Sequence, residues 1–330
     1  GNSAAGNDAT QGGGGLFQQD GATGTLTVTD SVVSGNSATG TAGSGGGVLN
    51  DVGGTVTITG TEISGNDAQR AGGGIENNAG TVTIDDSSLD TNTAGAAPGN
   101  GGGLHTTGDG DVTVTNSEVT GNTAAAEGGG LWNSAVGTMT VDNTLIDGNS
   151  AAGNDATQGG GGLFQDAGMG TLTVTNSVVS NNTATGTSGS GGGVLNDQGT
   201  LVISDTSFST NDAIRAGGGI ETNAGTVTLT GVDLDANTTG ANPGNGGGFH
   251  AGGANTVTYT GGTVSNNDAA NEGGGLWCSN SGTFTATGIT FDGNSAAEGD
   301  NVYHQDPGAT PSVSVCSING NQVPQGSGTP

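Results

Sequence analysis

The chain predicts an all-β fold, a parallel β-helix in which one short unit is stacked on itself ten to eleven times. Three observations predict it. The run Gly-Gly-Gly-Φ, with Φ apolar, recurs with Φ at Leu16, Val48, Ile75, Leu104, Leu131, Leu163, Val194, Ile220, Phe249 and Leu276, in steps of 26 to 32 residues. A looser copy, Gly299-Asp300-Asn301-Val302, follows at the same step. After each triplet comes an alternating segment such as Thr55-Val56-Thr57-Ile58-Thr59, and after that Φ-x-x-Asn, as in Ile63-Ser64-Gly65-Asn66. A fixed period of this size marks stacked units, none of which can bury its apolar face alone.

Each element of the unit has its own warrant. The glycines supply permissive turn geometry and let neighbouring rungs approach closely. They are not phosphate loops, because none leads into a helix bearing Lys-Ser or Lys-Thr. In Thr25-Leu26-Thr27-Val28-Thr29 the apolar residues fall on one side and the threonines on the other. That is strand periodicity with β-branched residues. The span from the first strand residue to the asparagine is always eleven residues, as in Thr25 to Asn36, Asp111 to Asn122 and Thr283 to Asn294. Length variation is confined to the two other connections, where loops belong.

The asparagines are Asn36, Asn66, Asn92, Asn122, Asn149, Asn182, Asn211, Asn237, Asn267 and Asn294. One residue type in one column predicts a structural ladder in which each amide bonds the turn backbone and its neighbour on the next rung. Each rung buries about four large apolar side chains, worth roughly 6–12 kcal/mol. Ordering about 29 residues costs more than that, so backbone and polar ladders must contribute to stability. Aromatic residues make up only 3% of the chain, which predicts a slim stacked core.

Gly-Gly-Gly-Φ paired with Φ-x-x-Asn resembles the repeats of polymorphic outer-membrane proteins and related adhesin-like β-helix proteins, which carry Gly-Gly-Ala-Φ and Phe-x-x-Asn. Phe208-Ser209-Thr210-Asn211 and Phe291-Asp292-Gly293-Asn294 match the second motif literally. The other copies carry Val, Ile or Leu for Phe, and Gly stands where that family has Ala. The resemblance spans residues 1 to about 304 and implies a single-stranded, right-handed parallel β-helix that is secreted or displayed on a cell surface.

A second period lies above the first. Residues 1–17 are identical to 148–164, and five rungs recur as a block, about 1–147 and about 148–294. Unusual residues recur with it: Arg70 and Arg215, Glu76 and Glu221, His105 and His250, Trp132 and Trp277. The chain begins inside a rung at Gly1-Asn2, which points to a piece of a longer array with an open strand edge. The β-helix is expected over 1–304, followed by a closing strand at Ser312-Val313-Ser314-Val315-Cys316 and a flexible tail at Gln325–Pro330 within 305–330. Cys278 and Cys316 are the two cysteines, and a disulfide between them would suit an oxidising compartment.

Thirty acidic residues face two arginines and no lysine, for a net charge of −28. Such a surface makes nucleic acid and anionic membranes poor partners, and no nucleic-acid partner is expected. No apolar run reaches the 18 residues of a membrane span. A lyase needs a base near a calcium-binding acid cluster, but Arg70 and Arg215 lie five rungs apart and are each expected to pair with the glutamate six residues on. A hydrolase needs carboxylates held together, whereas Asp85 and Asp86 point to opposite faces. The chain is therefore read as non-enzymatic and without a cofactor.

Three further surfaces are candidates. The position after each threonine strand carries Asp30, Asp86 and Asp205 among amides and glycines, an edge where calcium could bind weakly through oxygen. The outward threonines form three columns, a Thr-x-Thr array similar to the ice-binding face of β-solenoid antifreeze proteins, interrupted by Asp85, Asp111, Asp142 and Val202. Trp132, Trp277, His105 and His250 directly follow a buried Φ, so alternation points them away from the core, either to pack under a loop or to form a recognition surface.

The expected function is an extracellular structural or adhesive rod: a stalk or passenger segment of a surface protein, or a self-assembling fibre subunit. Its partners would be further copies stacked end to end, or a surface glycan or protein. The alternatives are a glycan-binding or polysaccharide-degrading β-helix and an ice-binding threonine array.

Overall fold

The computed structural model describes residues 1–19, 24–96, 98–308 and 314–329. It contains strands and turns and no helix among the described residues, so no helix is long and apolar enough to cross a membrane. The chain is a parallel β-solenoid of about ten turns, most of which have four strand segments; in the last two the third and fourth merge into one. In the second turn the four are a short strand, Ser37–Ala38; a triplet strand after the glycines, Val48–Asn50; a threonine strand, Thr55–Thr59; and an exit strand, Glu62–Ser64. Short strands stack into an 11-stranded sheet and triplet strands into a 12-stranded sheet, while threonine and exit strands share a 20-stranded sheet.

Pairing between turns is parallel and in register, so that Thr25, Thr55, Thr81 and Asp111 lie in one column. Register follows from the pattern: a slip of one residue would turn Val56 and Ile58, both fully buried, out to solvent. The core is a single column of Val, Ile, Leu and Phe filling the inside of the coil.

Three corners in every turn require a left-handed backbone. The residue after the threonine strand has φ between 46° and 71° in all ten turns, which explains why only Asp, Asn and Gly occupy Asp30, Gly60, Asp86 and their equivalents. The residue before each ladder asparagine has φ between 52° and 64°. The left-handed conformation thus falls one position before the asparagine, not on it. The first glycine of each triplet has φ between 60° and 66°. The second glycine is needed for a different reason: a Cβ on Gly46 would stand 2.4 Å from the carbonyl oxygen of Gly73 on the next turn.

The asparagine ladder is continuous. Asn66 Nδ2 donates to Asn92 Oδ1 at 2.9 Å and to the Val33 carbonyl of the preceding turn at 2.9 Å, while Asn92 Oδ1 also accepts the Asn66 backbone N–H. The ladder extends beyond the predicted ten residues, to Asn2 at one end and Asn301 at the other.

Two more polar ladders were not legible in the sequence. A hydroxyl column through Thr61, Ser87, Ser117, Thr144, Ser177 and Thr206 caps the first corner, and all of these hydroxyls but that of Thr144 accept a backbone N–H from the turn before, as Ser87 does from Thr61 at 3.1 Å. Inside the triplet strands, Asn50 donates to Asn77, Asn77 to Thr106, Asn133 to Gln165 and Asn196 to Thr222, at 2.6–3.1 Å. This last ladder is broken into short runs, and Oδ1 of Asn50, Asn133 and Asn196 has no partner among the described residues.

The tail differs from the expectation of a flexible linker. Val315–Ile318 adds one more parallel strand to Thr283–Ala286, and its neighbours Ser312 and Val313 lie outside the described residues. Ser327–Thr329 then returns antiparallel against Val302–His304, and Asn321–Gln322 pairs antiparallel with Ser317–Ile318. Backbone pairing holds this polar segment, so composition alone misreads it. Cys278 and Cys316 are disulfide-bonded, with Cα atoms 6.0 Å apart, and tie the last strand to the coil.

Candidate functional site

The second residue of each triplet strand faces away from the coil's core, and in register these residues form an outer column: Leu49, Glu76, His105, Trp132, Phe164, Leu195, then Glu221, His250 and Trp277. From sequence, Trp132, Trp277, His105 and His250 either pack under a loop or form a recognition surface. They are 7%, 5%, 2% and 4% exposed, and residues of the connections before the glycine triplets, Glu127 and Glu272, bond to the two tryptophans, an arrangement of the first kind. Alternation gives the side of the strand to which a residue points but not what lies over it.

Beneath those connections the column is a chain of specific contacts. Arg70 Nη1 donates to Glu76 Oε1 at 3.2 Å and to Ser44 Oγ at 3.0 Å. Glu76 Oε2 lies 2.9 Å from His105 Nδ1. The His105 ring stacks on Trp132 with centroids 4.3 Å apart, and Trp132 stacks on Phe164 at 6.0 Å. Trp132 Nε1 donates to Glu127 Oε2 at 3.0 Å, and Asn100 Nδ2 donates to the same oxygen at 3.1 Å. Burying the Glu76 carboxylate is tolerated because a guanidinium and an imidazole meet its two oxygens.

The copy repeats this with small changes. Arg215 meets Glu221 at 3.4 Å, His250 stacks on Trp277 at 4.2 Å, and Trp277 donates to Glu272 at 2.8 Å. Glu221 Oε2 and His250 Nδ1 are 2.8 Å apart but off the hydrogen-bond line. The arginine–glutamate pairs expected from sequence are thus both formed.

Glu127 is pushed up to about 7, chiefly by burial, with the Asp166 and Asp197 carboxylates adding to it and the Trp132 and Asn100 hydrogen bonds opposing it. Asp166 is raised as well, by burial and by Asp197. These two aspartates stand on adjacent turns, which most acids here avoid. Elsewhere acids alternate with hydroxyls along a column: Asp85–Thr115–Asp142, Asp90–Thr120–Asp147, Asp212–Thr238–Asp268 and Asp235–Ser265–Asp292. Skipping a turn puts neighbouring charges about 10 Å apart, roughly one Debye length at 0.1 M salt. It also gives Asp85, Asp90, Asp142, Asp147, Asp212 and Asp235 a hydroxyl donor on the next turn. Thr115 and Asn116 each donate to Asp85 at 2.8 Å and hold it below the usual carboxylate range, as Thr175 and Asn176 do for Asp142.

The calcium candidates Asp30, Asp86 and Asp205 all occupy the first corner but are not brought together. Two and four turns separate them, about 10 and 19 Å at the usual strand spacing. No group of three His, Cys, Asp or Glu side chains among the described residues could hold a metal ion.

The threonine columns are real and in register over all ten turns. No protein-family model matches the chain, and no curated protein or solved structure matches it at a significant level.

Proposed function

We propose that this chain is a rigid structural rod of a secreted or surface-displayed protein, a stalk or passenger segment and not an enzyme. The observation that carries the reading is where its chemically capable side chains go. The two arginines, His105, His250 and both tryptophans are used inside the rod, in contacts that fasten each outer connection to the coil. The ladder from Asn2 to Asn301 and in-register pairing over every turn make bending costly, because each turn shares hydrogen bonds with both neighbours. The disulfide supports an oxidising exterior, and the resemblance to the repeats of polymorphic outer-membrane proteins supports surface display.

The stalk is favoured over the self-assembling fibre by the last turn. There the antiparallel strands Ser327–Thr329 and Asn321–Gln322 cover Val302–His304 and Ser317–Ile318, so that of the three strand columns only the short one, ending at Ser295–Glu298, keeps an uncovered parallel edge. Small-angle scattering and negative-stain imaging of the purified chain test the reading. Discrete rods about 50 Å long, from ten to eleven turns at about 4.8 Å each, are expected at all protein concentrations. Filaments with an axial repeat of one chain length would overturn it in favour of the fibre.

A further inference from the structure

We propose that the threonine face of the second block, and not that of the first, binds the surface of crystalline water. The face of the first block is broken in its third, fourth and fifth turns by the carboxylates of Asp85, Asp111 and Asp142, which confines its fully uncharged turns to two, Thr25–Thr29 and Thr55–Thr59, against five in the second block. In the second block every outward position from Thr171 to Thr287 is uncharged, with Val202 and Ser204 the departures from threonine. Its last three strands, Thr226–Thr230, Thr256–Thr260 and Thr283–Thr287, have three threonines each on the outer face. The hydroxyls of these nine threonines make no hydrogen bond to any described residue. In the first block, by contrast, Thr115 and Thr138 donate to Asp85 and Asp111.

The spacing of this patch is set by the backbone. Adjacent turns place equivalent hydroxyls about 4.8 Å apart along the axis, and alternate residues of one strand place them about 6.7 Å apart across it. A tetrahedral water network with O···O near 2.75 Å has second neighbours about 4.5 Å apart and a stacking repeat of about 7.3 Å. The array is therefore within about a tenth of the lattice in both directions. Each free hydroxyl offers one donor and two acceptor sites to such a lattice. A carboxylate in the same plane would have to give up strongly bound liquid water without a compensating charge, which is why the first block's face is excluded. Crystalline polysaccharide is a poorer fit, because the face has no aromatic ring on which a sugar could stack.

The test uses the full chain in ice recrystallisation and thermal hysteresis assays, with two single substitutions of the same kind at the central outward position of a threonine strand, exposed at Thr258 and half-buried at Thr113. Thr258→Asp puts a charge in the centre of the uncharged patch, and Thr113→Asp puts one in the first block's face. The expected result is ice shaping by the parent chain, loss of most of it in Thr258→Asp, and parent-level activity in Thr113→Asp, with all three melting at the same temperature. No ice shaping by the parent chain overturns the proposal. So does retained activity in Thr258→Asp, or an equal loss in both variants.

Discussion

The block from Leu16 to Asn149 and its copy from Leu163 to Asn294 share their cores, asparagine ladder and the outer Arg–Glu–His–Trp contacts, yet differ in the polar columns placed around those features. In the first block the corner after the threonine strand is closed by the hydroxyls of Thr61, Ser87, Ser117 and Thr144. In the later turns of the second, Val232, Gly262 and Ile289 take that position, and the threonine and exit strands run together as Asn255–Ser265 and Thr283–Asp292. Buried Tyr259 then satisfies the Val232 carbonyl with its hydroxyl at 2.6 Å. Asn133 in the internal amide column is matched by Cys278 in the copy, where a covalent tie replaces the ladder. The carboxylates of the first block's threonine face are missing from the second. The backbone hydrogen bonds and the asparagine column fix the coil, and the other columns are free to change so long as each buried polar group finds some partner.

If that is so, the shared ladder should be equally important in both blocks. Asn92 and Asn237 are equivalent, and each donates to a carbonyl and to the next asparagine while accepting two N–H groups from the one before. Replacing either with Ala leaves several buried groups unpaired, at ~1–3 kcal/mol each. Each substitution should therefore cost about 4 kcal/mol, read as a fall in the urea midpoint, and the two losses should agree within about 0.5 kcal/mol. A clearly smaller loss in one block would mean that its secondary columns had taken over the role of the ladder.

The next effect separates the blocks by pH. Glu127 titrates near 7 when folded, against 4.5 ordinarily, beneath a first-block stack whose following turns carry Asp166 and Asp197. The folded state then binds more protons than the unfolded state between about pH 4.5 and 7. Stability must fall as pH rises through that window and level off above it, by at most about 3 kcal/mol. Glu127→Gln should flatten this slope in melting temperature against pH, and Asp166→Asn should reduce it. The acid limb has the opposite sign. Asp85 and Asp142, held below 3.8 by donors on the next turn, lose their contribution as pH falls through their lowered values. An unchanged neutral slope in Glu127→Gln would place the titration elsewhere.

Much of this was legible in the sequence because the features concerned repeat. The threonine alternation, the ladder column and the Arg70–Glu76 and Arg215–Glu221 pairs all follow from spacing. What was hidden depends on long-range cover or mixed chemistry. The burial of Trp132 and His105 depends on a connection whose path no periodicity encodes. The hydroxyl column reads as ordinary turn residues, since Ser and Thr interchange and the bonds run between turns 26 to 33 residues apart. The internal amide column mixes Asn, Gln and Thr, so no single letter marks it. Ser327–Thr329 looks like a linker because backbone pairing, which any sequence can make, is what holds it.

The smallest effect probes the second corner, where the two blocks meet the same backbone demand with different residues. The position before the ladder asparagine is Thr91 in the first block and Ala236 in the second, at φ 52° and 53°. Gly121, at the same corner in the next turn, has φ 61°. A side chain in the left-handed region costs about 1 kcal/mol or more, and a β-branched one is an outlier there. Ala236 makes no side-chain hydrogen bond, so Ala236→Gly should stabilise the chain by about 1 kcal/mol, less what the freer glycine loses in the unfolded state. Thr91 keeps one exposed contact, its hydroxyl to Asp90 Oδ2 at 3.3 Å. Such an exposed bond contributes little, so Thr91→Gly should gain at least as much as Ala236→Gly despite losing it. Urea denaturation of the two variants, with Gly121→Ala as the reverse substitution, decides the matter. If Thr91→Gly destabilises while Ala236→Gly stabilises, the Thr91 contact outweighs the strain, and the first block would have a local interaction at this corner that its copy lacks.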